Sequence, residues 1–177
     1  RELPPSPVLD RARSHPGPEA GNAGGDLALI LFTDFNCSAC RASHQPMMAA
    51  VGSDGGVLLR VHDWPVFGDD SRAAARTALA AARQGLYLPV HAALMQGGRA
   101  DARAAEAALQ AAGGDLAALR RTLAEDGPLI DGQLARTAFT YGGGIEASYD
   151  WNRNRWIVPL NLTATQLVKL GRQPAQI

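Results

Sequence analysis

Cysteine is scarce: the chain has two, at positions 37 and 40, in 177 residues. Two cysteines cannot build a disulfide-stapled scaffold, and alone they cannot build a four-thiolate zinc site. Net charge is lacking too, with 17 basic residues against 17 acidic ones. That balance leaves no basic stripe for nucleic acid and no polybasic run for a membrane surface. No apolar run nears the roughly 20 residues that span a bilayer. The longest, Leu27 to Phe32, has the length of a strand. No internal repeat is visible.

What remains is a chain with 46% hydrophobic residues, enough for one domain with a core, or one domain carrying an insertion. Arg1 to Gly25 is rich in Pro, Gly and Ala. It reads as a flexible segment, either an ordinary disordered terminus or the tether left by a removed signal peptide or lipid anchor. Leu27 to Thr33 is a continuous apolar run bounded by turn residues, the pattern of a buried strand. Ser38 to Val51 reads as a helix that Pro46 should kink. Val57 to His62 reads as a second buried strand. Strand, helix, strand in this order predicts a parallel pair with a right-handed crossover.

Asp69-Asp70-Ser71 offers N-caps for an Ala-rich helix over Arg72 to Gln84. Helical patterns continue through Pro89 to Gln96, Ala100 to Ala112, Asp115 to Glu125 and Leu129 to Phe139. Ile145 to Asp150 and Arg155 to Val158 read as short strands joined at Asn152-Arg153-Asn154. Thr163 to Leu170 reads as a last helix stopped by Gly171. The expected division is a flexible segment at 1–25, an α/β domain at 26–68 and 140–177, and a helical insertion at 69–139.

The chemistry points to Cys37-Ser38-Ala39-Cys40. The pair lies where a buried strand gives way to a helix N-terminus, which carries partial positive charge and unpaired N–H groups. Both favour a thiolate at Cys37, the attacking species in disulfide exchange. Cys37 is expected to be the more exposed of the two. Cys40, one turn on, can resolve a mixed disulfide. Ser38 and Ala39 add no charge, so the helix end should be the main thiolate stabiliser. An inert structural disulfide is the plainer alternative, but so small a loop constrains the unfolded chain little.

Gly21-Asn22, Gly25-Asp26 and Phe32-Thr33-Asp34-Phe35-Asn36-Cys37-Ser38-Ala39-Cys40-Arg41 together resemble the active-site region of exported DsbA-like thioredoxin-fold proteins. His62-Asp63-Trp64-Pro65-Val66-Phe67-Gly68 resembles the segment after that family's second strand. Ser71 to Ala82, Gln84-Gly85-Leu86-Tyr87 and His91-Ala92-Ala93-Leu94-Met95 resemble the start of its helical insertion. The likeness spans most of Gly21 to Leu134, with a fainter echo from Val158-Pro159 to Leu170. It implies a thioredoxin fold with an inserted α-helical subdomain, βαβ then ββα. It also implies a periplasmic or otherwise extracytoplasmic location, thiol–disulfide exchange with cysteine-containing exported proteins, and a membrane redox partner. Cys37 and Cys40 would be the reacting residues, with Phe35, Asn36, Ser38 and Ala39 around them. No cofactor is expected.

The sequence departs from the family in two places. The family's loop facing the cysteines carries a cis-proline, whereas Tyr141 to Asp150 contains no proline. Ile145, Glu146, Ala147 and Ser148 fall where substrate would dock, and a non-proline cis bond there would cost about 2.5–4 kcal/mol, so a trans loop is expected. The buried acid often found six residues before the first cysteine is replaced by Leu31. Asp34 is nearer, either as a proton relay or as the residue that ends the strand.

The remaining candidates are weaker. His44 follows Cys40 by four residues, so Cys37, Cys40 and His44 offer three soft ligands for Cu(I) or Zn, with His62 as a further donor. His62 otherwise ends its strand in a polar setting, and His91 packs in the helical block. Met47 and Met48 suit a core or a groove. Trp151 to Trp156 interleaves aromatics with Arg, but a hairpin tip or protein-contact surface explains it better than nucleic acid does. Asn161-Leu162-Thr163 matches a glycosylation sequon that arises often by chance. Two functions stand open: a thiol–disulfide oxidoreductase, or a catalytically weakened thioredoxin-fold module that holds a protein partner or Cu/Zn.

Overall fold

A computed structural model of the chain describes residues 14–141, 148–150, 155–157 and 166–169. Strand β2 (Leu27–Thr33) is the apolar run expected from the sequence, and β3 (Val57–Asp63) lies parallel to it. Helix α1 (Ser38–Ser53) connects them. Leu27 pairs with Val57 and Thr33 with Asp63, so matched residues face the same side of the sheet. Leu29, Leu31, Leu59 and Val61 share one buried cluster with Cys40 and Val51 of α1. Ile30, Phe32 and Trp64 form a separate cluster on the opposite face. Helix α1 continues through Pro46. Ala42 and Pro46 are both exposed, so the bond that proline removes lies on the solvent side.

Two further strands depart from the sequence reading. Within the segment expected to be flexible, Glu19–Gly21 forms β1, antiparallel to β3. It is too short and polar to show periodicity. Glu19 and Arg60 are register partners, and Arg60 Nε donates to Glu19 Oε1 at 2.9 Å. Gly21 closes the strand at φ 81°, where a Cβ would strike the Val57 carbonyl. The second departure is a correction. Thr163 to Leu170 reads as a helix, yet Gln166–Lys169 is a strand, β6, antiparallel to β2. So short a helix nucleates poorly, and the open edge of β2 offers its backbone groups a ladder instead. The sheet order is therefore β1-β3-β2-β6. The expected hairpin is present as β4 (Ser148–Asp150) paired with β5 (Arg155–Ile157), a separate two-stranded sheet.

Among the described residues, five α-helices lie between β3 and β4, with a 3-10 turn (Ala82–Gln84) after the first: α2 (Asp69–Ala81), α3 (Tyr87–Gln96), α4 (Ala102–Ala111), α5 (Leu116–Glu125) and α6 (Gly127–Tyr141). Helix α2 begins earlier than expected. Its N-cap is Gly68 at φ 93°, and Asp69 and Asp70 occupy its first turn, where carboxylates complement the helix dipole. Asp101 and Asp115 cap α4 and α5 through their side chains. Helix α2 is the hub of the block and packs against α3, α4, α5 and α6. Its buried face is almost wholly small: Ser71, Ala74, Ala75, Ala78, Ala80 and Ala81 are all within 1% of full burial. With no bulk in the way, the neighbouring helices approach closely. One buried cluster runs from β2, β3 and α1 into these helices.

The junction of α1 and α3 is polar although buried. His91 of α3 contacts Phe35, His44 and Tyr87 with ring centroids 5.2, 5.0 and 5.5 Å apart. It thus packs between the helical block and α1, rather than only within the block. Burial, helped by charge repulsion from His44, pushes His91 down to about 3. The unfolded chain takes up a proton near 6.5 that the folded chain refuses. Stability is therefore full above pH 6.5 and is lost as the pH falls toward 3. At about 1.4 kcal/mol per unit, the loss at pH 4 is roughly 3 kcal/mol. His91→Leu should remove most of this acid sensitivity, measured by urea unfolding at pH 7 and pH 4.

Candidate active site

The backbone turns at the end of β2, and one carboxylate fixes the turn. Asp34 is 3% exposed. Its Oδ1 accepts from the Asn36 amide at 2.7 Å and from the Ser71 hydroxyl at 2.7 Å. Its Oδ2 accepts from the amides of Val66 and Phe67 at 2.7 and 3.0 Å. Its carbonyl accepts from the Cys37 amide at 3.1 Å. Asp34 thus ends the strand, as one sequence reading held, and also ties the loop after β3 and the start of α2 to the cysteine turn.

Cys37 is the N-cap of α1. Its backbone is extended, at φ −78° and ψ 117°, and its Sγ accepts from the Cys40 amide at 3.2 Å. A sulfur has taken the place usually held by a Ser or Asp oxygen. The sulfur thus sits at the N-terminus of α1, facing a backbone N–H. Both cysteines are free thiols. The expectation that Cys37 is the more exposed is overturned: it is 1% exposed and Cys40 is 5%, because the capping geometry turns the sulfur back onto the helix. Ser38 and Ala39 are the exposed members of the motif.

Burial pushes the Cys40 thiol up to about 11, and the adjacent Cys37 sulfur adds to the rise. The Asp34 backbone N–H and the Thr33 hydroxyl both donate to Cys40 and oppose it. Cys40 therefore holds its proton at neutral pH.

Two side chains bind the cysteine turn to the loop between α3 and α4. Asn36 Nδ2 donates to the Ala100 carbonyl at 2.9 Å, and the Ala100 amide returns a bond to Asn36 Oδ1 at 2.8 Å. The same Nδ2 reaches Ser71 Oγ at 2.9 Å. Arg41 donates to the carbonyls of Phe35, Gly97 and Gly98. Phe35 is 1% exposed and packs edge-on against His91. Beside the turn, Val66 and Phe67 leave large apolar side chains 46% and 49% exposed.

Of the other sequence candidates, Ile145, Glu146 and Ala147 lie outside the described residues, and Ser148 begins β4. Trp151 to Asn154 and the Asn161 sequon also lie outside them. The metal alternative of Cys37, Cys40 and His44 is not assembled. His44 turns to His91, and among the described residues no three His, Cys, Asp or Glu side chains converge to hold an ion. His62 stacks on Phe32 at 5.3 Å, on the sheet face away from Cys40. Met47 and Met48 pack partly buried on the core.

Sequence reasoning gave no role at the site to Arg41, Asp63 or Tyr87, and read Ser71 only as a candidate helix cap. An arginine in the first turn of α1 runs against the helix dipole, a mismatch that signals a specific use. Asp63 ends a buried strand on the face of Thr33, and Tyr87 Oη donates to its Oδ1 at 2.8 Å. Burial pushes Asp63 up to about 7; the Tyr87 hydroxyl opposes the rise and the charge of Asp34 adds to it.

The Asp34 network generates a stability prediction. Asp34→Ala strands the part-buried amides of Val66 and Phe67 and the buried Ser71 hydroxyl. The expected loss is roughly 3 kcal/mol or more, read as a drop in the urea midpoint. Asp101→Ala, which removes only a helix cap, should cost about 1 kcal/mol.

No protein-family model and no curated protein matches the chain. Solved structures do. A thioredoxin-like oxidoreductase from Silicibacter pomeroyi DSS-3 is 29% identical, with 91% of this chain and 90% of that one covered and a TM-score of 0.69. The thiol-disulfide exchange protein alpha-DsbA2 from Wolbachia pipientis is 20% identical over 77% of each chain, with a TM-score of 0.71. A periplasmic thioredoxin-like protein from Salmonella enterica serovar Typhimurium is 25% identical over 80% of this chain and 83% of that one, with a TM-score of 0.59. The strand–cysteine–helix–strand unit followed by its helical block, together with these likenesses, gives the chain a thioredoxin-like fold, similar to that of the S. pomeroyi oxidoreductase.

Proposed function

We propose that the chain is a protein thiol–disulfide oxidoreductase in which Cys37 and Cys40 exchange a disulfide with cysteines of exported proteins. The carrying observation is the sulfur cap: Cys37 Sγ faces the Cys40 amide at the N-terminus of α1. In the reducing direction, the Cys37 thiolate attacks a substrate disulfide, forms a mixed disulfide and releases one substrate thiolate. Cys40 loses its proton and attacks Cys37 Sγ. The Cys37–Cys40 bond forms, the bond to substrate breaks, and the substrate leaves as a second thiolate. In the oxidising direction the same steps run backwards.

The S. pomeroyi oxidoreductase supports redox chemistry, and the S. enterica protein supports an extracytoplasmic setting. No helix among the described residues is long and apolar enough to cross a membrane. A membrane redox partner that resets the pair, and a substrate-docking role for Ile145 to Ser148, complete the proposal. The capping sulfur and the unassembled metal set favour exchange over the metal-holding module.

Equilibration with glutathione buffers tests this reading. Cys37 and Cys40 should interconvert between dithiol and disulfide across a defined potential, read by thiol alkylation and mass spectrometry. Cys40→Ser should trap a mixed disulfide with a disulfide-bonded peptide, releasing one peptide thiolate, whereas Cys37→Ser should trap none. A pair that stays in one state across the whole buffer range would rule out the proposal.

A further inference from the structure

Arg41 places a positive charge beside the cysteines, and no carboxylate among the described residues pairs with it. Ion pairs engage Arg60, Arg76, Arg83 and Arg99, but not Arg41. Its guanidinium is held by backbone carbonyls instead: Nε donates to Phe35, Nη1 to Gly97 and Nη2 to Gly98. Neutral carbonyls orient a cation without cancelling its charge. A guanidinium carries five N–H donors, so these bonds leave donors over. The side chain is half-buried rather than enclosed.

The placement is rigid. Gly97 is the C-cap of α3, and a cation there complements that helix's dipole. The side chain leaves the residue after Cys40, and its head returns to the carbonyl of Phe35, two residues before Cys37. The cysteine turn is thus flanked by a fixed charge. Asn36 binds Ala100 through two bonds, so the loop that holds Arg41 is itself tied to the turn.

The neighbouring carboxylates are all engaged elsewhere. Asp34 is buried, and its oxygens accept from Asn36, Val66, Phe67 and Ser71. Asp70 is taken by Arg99, and Asp101 caps α4. The charge that Arg41 presents is therefore open to a carboxylate from outside the chain.

We propose that Arg41 is a specificity residue, which favours substrate disulfides whose cysteine has an Asp or Glu within one or two positions. This rests on the exchange reading given above and adds a substrate class to it. A polypeptide bonded to Cys37 must cross the cysteine turn. Each residue advances an extended chain by roughly 3.3 Å, so a carboxylate next to the substrate cysteine comes within reach of the guanidinium. There it gains charge-assisted hydrogen bonds. The exchange step itself is unchanged. Cys37 Sγ bonds to one substrate sulfur, and the other leaves with the electron pair of the broken disulfide. Arg41 meets the flanking carboxylate and not the reacting sulfurs.

Three disulfide-linked peptides test this, identical except for Glu, Gln or Lys next to the cysteine. Each is mixed with the reduced protein, and loss of the peptide disulfide is followed by acid quench and mass spectrometry. Dividing each rate by that of 2-mercaptoethanol with the same peptide removes the peptide's own reactivity. The wild type should favour Glu over Gln by about 3-fold, and Gln over Lys by a similar factor. The preference should shrink as salt rises from about 0.02 to 0.5 M. Arg41→Met should abolish it, and Arg41→Lys, which keeps the charge, should retain part of it. A purely structural role for Arg41 would instead change all three rates alike and leave their ratios intact. Equal normalised rates for Glu and Gln in the wild type, or a preference that survives in Arg41→Met, overturn the proposal. If circular dichroism shows Arg41→Met unfolded, a wild-type preference that ignores salt overturns it instead. A wild type that reacts with none of the peptides overturns the exchange reading itself.

Discussion

The carboxylate of Asp34 is the constraint on which the site depends. It lies where β2 ends, and no regular ladder can continue there. Its two oxygens take up four donors from three separate stretches of chain. Those bonds set the direction in which the backbone leaves the strand, and so place Cys37 at the start of α1. The sulfur can cap the helix because the turn before it is already fixed. The same bonds bring the loop after β3 and the first turn of α2 against the cysteines.

Much of this was legible in the sequence. The parallel strand pair, the helix between them and the later helices follow from apolar run length, periodicity and caps. The reacting pair follows from two cysteines at a strand–helix junction. What stayed hidden depends on tertiary partners. Glu19–Gly21 becomes a strand because β3 has an open edge, and Gln166–Lys169 because β2 does. Neither segment is long enough to show a period of its own. The burial of Cys37 is invisible for a similar reason: a one-dimensional pattern shows that a residue caps a helix, not which way its sulfur turns. Arg41 and Tyr87 act through partners more than 20 residues away, at a distance no motif spans.

The core around the cysteines does not follow the rule that interiors are apolar. His44, Asp63, Tyr87 and His91 are all buried, and their ionisation is shifted against charge. Each lowers stability relative to an apolar residue of similar shape. They occupy the side of the sheet that carries α1, whereas the other face holds Ile30, Phe32 and Trp64. Buried polar groups are thus more numerous on the side of the cysteines than on the other face, where His62 stacks on Phe32.

The alanine face of α2 has a consequence for how this protein can change over time. Ala74, Ala78, Ala80 and Ala81 have no exposed surface, so even a single added methylene has no room. A larger residue there must push the helix outward. The helix carries Ser71, and Ser71 is bonded to both Asp34 and Asn36. A volume change far from sulfur would therefore arrive at the cysteine turn as a displacement. Inherited variation should accumulate on the outward faces of α4 and α5, while the alanine face drifts little, held by the geometry of a reaction in which it takes no part.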